Sequence, residues 1–153
     1  MIRTLALPLA IAATLTTLPA AAQTTQPCPA VTEAAVAGLF DRWNASLATL
    51  DSDAVVANYA EDAVLLPTVS NQPRFTQAER EDYFDHFLEG RPQGEILERR
   101  IQLGCGMAVD SGLYRFTFSD GRQVTARYSY AYRHDDDEWL IVSHHSSALP
   151  ESE

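Results

Sequence analysis

Residues 126–151 read ARYSYAYRHDDDEWLIVSHHSSALPE. Two runs rich in aromatic and β-branched side chains flank Asp135-Asp136-Asp137-Glu138, and the second run ends in His144-His145-Ser146-Ser147. Such runs on either side of a turn read as two paired strands. Strand side chains alternate between faces, so His144 and His145 point to opposite sides of the sheet these strands join.

Upstream, from Gly94 onward, short alternating or apolar segments cover 95–103, 107–118, 124–132 and 139–146. Four strands with tight connections form an antiparallel meander. Ser119-Asp120-Gly121-Arg122 suits a two-residue hairpin loop, because Asp-Gly accepts positive φ. With Ser119 opposite Arg122, Arg115 falls opposite Ala126, Leu113 opposite Tyr128 and Tyr114 opposite Arg127. A second turn centred on Asp136 sets Tyr130 against Val142 and Tyr128 against His144. Alternation then predicts one face bearing Arg115, Tyr128, Tyr130, His144 and Ser146, and another bearing Tyr114, Phe116, Phe118, Arg127 and His145. Both faces are apolar enough to need cover. A helix is expected over the first and a second copy of the chain over the other.

Farther upstream, Val31, Ala34, Ala35, Leu39, Trp43 and Leu47 recur at helical spacing, which predicts a first helix to about residue 50. Asp51-Ser52 caps a short helix over 53–59, with Val55, Val56 and Tyr59 inward. A short strand at 63–66 ends at Pro67, and a polar loop follows over 68–75. Thr76 with Glu79 forms a capping box for a third helix through Tyr83, Phe84, Phe87 and Leu88, stopped by Gly90 and Pro92. The fold class is therefore α+β, three helices packed on an antiparallel sheet.

The first 22 residues have the layout of a secretory signal peptide: Arg3, an apolar run over 5–18, then Ala20-Ala21-Ala22. The run is broken by Pro8 and is short for a membrane anchor. The expected organisation is a signal peptide at 1–22, a tether at 23–30 and one domain at 31–150, giving an exported, periplasmic or secreted product. The formal charge is -10, with no lysine, and becomes -11 once Arg3 is removed. Nucleic acid and anionic membranes would be repelled, so neither is an expected partner. Cys28 and Cys105 either pair in an oxidising compartment or stay as separate buried thiols. A bridge would close a loop of about 77 residues and stabilise the fold by about 4 kcal/mol in the chain-entropy model.

Each candidate for chemistry carries a plainer alternative. Arg115 either clamps a carboxylate or pairs with a surface acid. Tyr128, Tyr130 and Tyr132 either form a wall with polar tips suited to an aromatic ligand or are simply core. His144 is a general base beside Tyr128 or a satisfied core histidine. His145, expected near Arg127, meets a ligand or another subunit. The two histidines cannot easily chelate one metal, and the acidic run lacks the alternating ligands and turn glycine of a calcium loop, so no metal or cofactor is expected. Ser146-Ser147 lack the strand-turn-helix elbow of a hydrolase nucleophile, and no catalytic residue is assigned.

DGRQVTARYSYAYRHDDDEWLIVSHHSSALP and FDRWNASLATLDSDAVVANYAEDAVLLP resemble the association (hub) domain of calcium/calmodulin-dependent protein kinase II and its stand-alone bacterial relatives. These belong to the nuclear transport factor 2-like and SnoaL-like superfamily, and the similarity covers residues 31–150. The resemblance implies a cone-shaped fold, self-association into a homodimer or larger homo-oligomer, and a pocket whose basic lining holds small carboxylates. One pocket arginine of the family falls on Arg115. Two others fall on Tyr130 and Ser146, so most of that lining is absent.

The combined expectation is an exported oligomerising module that binds a small organic molecule, a carboxylate or an aromatic one, between its first helix and its sheet. Arg115, Tyr128, Tyr130, His144, Arg127 and His145 are the candidate ligand contacts. The alternatives are an isomerase or cyclase using His144 and Tyr128 for proton transfer, and a purely structural hub.

Overall fold

A computed structural model of the chain describes residues 28–150, so the expected signal peptide and most of the tether lie outside the described residues. The elements are α1 (Glu33–Leu47), α2 (Ser52–Val56), β1 (Tyr59–Leu66), α3 (Gln77–Glu89), β2 (Gln93–Leu103), β3 (Met107–Thr117), β4 (Gln123–Asp135) and β5 (Glu138–Ala148). Each helix starts where a side-chain oxygen takes over an orphan backbone donor. Thr32 accepts from the Ala35 N–H, Asp51 from the Asp53 N–H, and Thr76 and Glu79 form the full reciprocal box.

The sheet order is β1-β5-β4-β3-β2. β2 to β5 form the antiparallel meander, and β1 adds parallel to β5. The sequence reading took only the last half of β1 as strand. Its first residues, Tyr59 and Ala60, are buried too. The helices pack on one face of the sheet, where Val36, Phe40, Trp43 and Leu47 of α1 meet Tyr114, Phe116, Tyr128, Tyr130 and Tyr132 in a single buried cluster. Of these α1 residues, Val36 and Phe40 were missed because the sequence stripe was drawn through Ala35 and Leu39 instead.

The register of the β3–β4 hairpin differs from expectation by one residue. Thr117 pairs with Gln123, Arg115 with Thr125 and Tyr114 with Ala126. The cause lies in the turn. Phe118 N–H donates to Arg122 O and Gly121 N–H to Phe118 O, and Gly121 is at φ 82 while Asp120 is not left-handed. This is a three-residue loop, a turn closed by a left-handed glycine, and it admits one residue more than the two-residue loop. The left-handed pair is instead Asp136 (φ 44) and Asp137 (φ 72), which join Asp135 to Glu138 in the tighter hairpin.

A one-residue slip moves side chains to the other face. Tyr114, Phe116 and Phe118 therefore lie on the core face with Tyr128 and Tyr130, and Arg115 lies on the outer face. On β5, a bulge between the Ala131↔Ser143 and Tyr132↔Ile141 pairs makes Val142 the extra residue, so Ile141 and His144 are both buried. His144 pairs with Tyr130 and Ser146 with Tyr128, in place of the expected His144–Tyr128 pair. A second bulge, between Ile96 and Glu98 of β2, brings backbone against Gly112. A Cβ there would sit 1.9 Å from the Glu98 carbonyl oxygen, so the sheet bends where only glycine fits.

Cys28 and Cys105 form a disulfide, which ties the start of the domain to the β2–β3 turn. Among the described residues, no helix is long and apolar enough to cross a membrane.

Candidate functional site

Beneath the loop that follows β1 lies a cavity of about 40 Å³. Its apolar walls include Trp43 from α1, Leu65 from β1, Tyr83, Phe84 and Phe87 from α3, and Tyr114 and Phe116 from β3. The lining side chains that carry polar atoms are Thr68 in the loop, Tyr114 on β3, and His144 and Ser146 on β5, together with the Tyr83 phenol and the Trp43 indole. No Asp, Glu, Arg or Lys lines it. This volume holds about three water molecules, which is far less than a drug-sized ligand requires.

The polar groups are linked. The Tyr114 hydroxyl donates to Ser146 Oγ at 2.5 Å, and the Ser146 and Thr68 hydroxyls are hydrogen-bonded to each other. Behind them, Trp43 Nε1–H donates to the Tyr59 hydroxyl at 3.1 Å, and that hydroxyl lies 2.8 Å from His144 Nδ1. An indole can only donate, so the Tyr59 proton is best used toward Nδ1. The hydrogen of the neutral imidazole then sits on Nε2. Nε2 is buried and meets no protein partner.

Burial sets the protonation states. Desolvation pushes His144 down to about 3, with the neighbouring His145 adding to the effect, so the ring is neutral at physiological pH. Desolvation also raises Tyr59 and Tyr114 well above the usual phenol range, and raises Tyr83 to about 12. The cavity is thus lined by neutral donors and acceptors.

A second cleft of about 570 Å³ opens outside this cavity and shares Val69, Tyr83, Phe87 and Phe118 with it. Ser70, Arg74, Asp82, His86, Gly90 and Arg122 complete its lining. Arg122 stacks over the Phe118 ring at 3.9 Å, and Arg74 approaches Asp82 at 3.4 Å.

The sequence candidates fall in three places. His144 lines the cavity, stacked on Tyr130 at a 4.1 Å centroid distance. Tyr128 and Tyr130 lie on the same face but are packed into the core, with Phe40 against both rings. The Tyr128 hydroxyl donates to Asp110 Oδ1 at 2.9 Å. Asp110 is fully buried and also takes the Arg99 guanidinium, Nη2 to Oδ2 at 3.0 Å. Arg115, Arg127 and His145 lie on the outer face, away from His144. Arg115 faces Glu95 at 3.9 Å, and Arg127 donates to Ala148 O at 2.9 Å. The register explains the separation of Arg115 from Tyr128.

Sequence reasoning missed Thr68, Tyr83 and Tyr114 as cavity residues, and it placed Ser146 on the pocket face through the family resemblance without naming it as a ligand contact. Tyr114 was legible had the Ser-Asp-Gly turn been read as a three-residue loop. Thr68 sits in a loop with no periodic signal. Among the described residues, no group of three or more His, Cys, Asp or Glu side chains could hold a metal ion.

The model of the calcium/calmodulin dependent protein kinase II association domain family matches residues 32–150. No curated protein sequence matches the chain. A crystal structure from Xanthomonas campestris, described as an association domain of this kind, is 47% identical, covering 83% of this chain and 95% of that one with a TM-score of 0.75. The iota-carbonic anhydrase of a cyanobacterium, complexed with bicarbonate, is 20% identical over 85% of this chain and 99% of its own, with a TM-score of 0.72. An NTF2-like protein of unknown function from Pseudomonas putida is 19% identical over 79% and 89%, with a TM-score of 0.69. The last two likenesses speak for the fold, which is α+β and nuclear transport factor 2-like. With the family model spanning nearly all of the described residues and the Xanthomonas structure close in sequence, the chain belongs to the calcium/calmodulin dependent protein kinase II association domain family.

Proposed function

We propose that the chain is exported after cleavage behind Ala22, associates with copies of itself, and holds a small oxygen-rich molecule of bicarbonate's size in the inner cavity. Hydration of carbon dioxide is the reaction this cavity suits. The observation that carries the reading is that Thr68, Tyr114, His144 and Ser146 together line one apolar-walled space of about 40 Å³. Carbon dioxide is linear and apolar and fits such walls. The bicarbonate that forms from it needs hydrogen-bond donors where its oxygens gain charge. The neutral imidazole can donate from Nε2, and the linked hydroxyls can donate or accept as the guest requires.

Two further points support the choice. The cavity volume favours a ligand of a few heavy atoms over an aromatic one. The similar structure that holds bicarbonate motivates this ligand among small oxyanions. The isomerase or cyclase alternative relied on Tyr128 beside His144, but the Tyr128 hydroxyl is committed to Asp110. The disulfide fits an oxidising compartment.

Titration with carbon-13 bicarbonate, followed by NMR line broadening, tests the reading. Saturable broadening is expected for the native protein and its loss in Ser146→Val and Thr68→Val. Formate and acetate, run as competitors, report whether other small carboxylates share the site. An absence of saturable binding of all three by the folded protein would reject the reading.

A further inference from the structure

Hydration of carbon dioxide joins the water oxygen to carbon and breaks one O–H bond, so each turnover yields bicarbonate and one proton. That proton has to leave the site before the next turnover. Within the inner cavity nothing can keep it, because His144 is held down to about 3 and the phenols are raised. No carboxylate lines the cavity. The neighbouring cleft does contain an imidazole. His86 stands on α3, exposed to solvent, and lines the cleft that shares Val69, Tyr83, Phe87 and Phe118 with the cavity.

Its orientation is fixed. Nδ1 lies 2.8 Å from the Asp82 backbone carbonyl, which only accepts. Nδ1 therefore carries the hydrogen, and Nε2 is the free acceptor. We propose that His86 receives the proton released in the inner cavity, through water in the outer cleft, and passes it to buffer. The proposal rests on the carbon dioxide reading of the cavity. His86 is a relay residue that does not touch the reacting atoms.

The charges around His86 suit the task. The hydrogen bond to the Asp82 carbonyl raises it from its ordinary value, and the Asp82, Glu89 and Asp85 carboxylates of the same helix act in the same direction. Arg74 and Arg122 line the same cleft. An imidazole is the side chain that both takes and gives a proton readily at physiological pH. His145 is the competing candidate. It borders a shallow groove that shares Pro67 and Ser146 with the cavity, but its side chain projects from the outer face, with the sheet backbone in between.

The test is stopped-flow hydration of carbon dioxide by native protein, His86→Ala and His145→Ala, in dilute and in concentrated imidazole buffer. The expected result is a kcat about tenfold lower for His86→Ala in dilute buffer only. KM should be unchanged, concentrated imidazole should restore the rate, and His145→Ala should match the native protein. Isotope exchange between carbon dioxide and bicarbonate at equilibrium, which needs no proton export, should be intact in His86→Ala. An undiminished kcat in dilute buffer for that variant, or a buffer-rescued loss in His145→Ala alone, would overturn the relay while leaving the cavity reading standing. A native protein inactive in both buffers would reject the cavity reading and the relay with it.

Discussion

The Tyr59 hydroxyl lies 2.8 Å from His144 Nδ1 and takes the Trp43 indole hydrogen behind it. Burial holds this histidine neutral in the core, and that makes stability depend on pH. His144 titrates at about 3 when folded against an ordinary value of 6.5. Between those values the unfolded chain binds a proton that the native chain does not, so stability falls as pH falls from 6.5 toward 3. At pH 4 the loss from this one group is about 3 kcal/mol. Urea denaturation at pH 7 and pH 4 should show this difference, and His144→Phe should shrink it, whatever that variant costs at pH 7. An equal pH dependence in both proteins would remove His144 as its source.

Asp110 makes a second buried polar contact with a measurable consequence. It is fully buried, accepts from Tyr128 and pairs with Arg99. Replacing it with alanine leaves the guanidinium and the phenol without their acceptor, at a cost of about 3–5 kcal/mol. The double variant Asp110→Leu with Arg99→Met should recover most of that loss, because no charge is then left unpaired. Both values are read from chemical denaturation midpoints.

The bridge between Cys28 and Cys105 closes a loop with a sequence separation of 77. Converting both cysteines to serine should lower the unfolding free energy by about 4 kcal/mol. A reducing agent should do the same to the native protein and nothing to the variant.

The outer face of the sheet carries Arg115, Arg127, Ser129 and His145, and no helix of the described chain covers it. A second copy of the chain is the expected cover. Light scattering should give at least twice the mass of one chain, and Arg127→Glu should lower it. A monomer at all concentrations would leave this face without its partner.

Much of this was legible in the sequence, for reasons that are local. The capping residues Asp51 and Thr76, the stop at Gly90 and the four-strand meander each depend on a few neighbouring residues. What failed depended on one torsion. Asp120 is not left-handed where an Asp-Gly hairpin would have it so, and that single difference moved Arg115 off the face of Tyr128 and put Tyr114 in its place. His144 was identified, but its partner was not, because Tyr59 is 85 residues away on a strand whose parallel pairing leaves no turn signal. The cavity itself was illegible for the same reason: it is assembled from a loop, two helices and four strands.

The central claim is that the space bounded by Thr68, Tyr114, His144 and Ser146 hydrates carbon dioxide. It is tested most directly by the initial rate of carbon dioxide hydration, followed by a pH indicator, for the native protein and for Ser146→Ala in concentrated buffer. The account predicts saturable catalysis by the native protein and a loss of about a hundredfold in the variant. A native rate no higher than the uncatalysed one, or a variant as fast as the native protein, would contradict it.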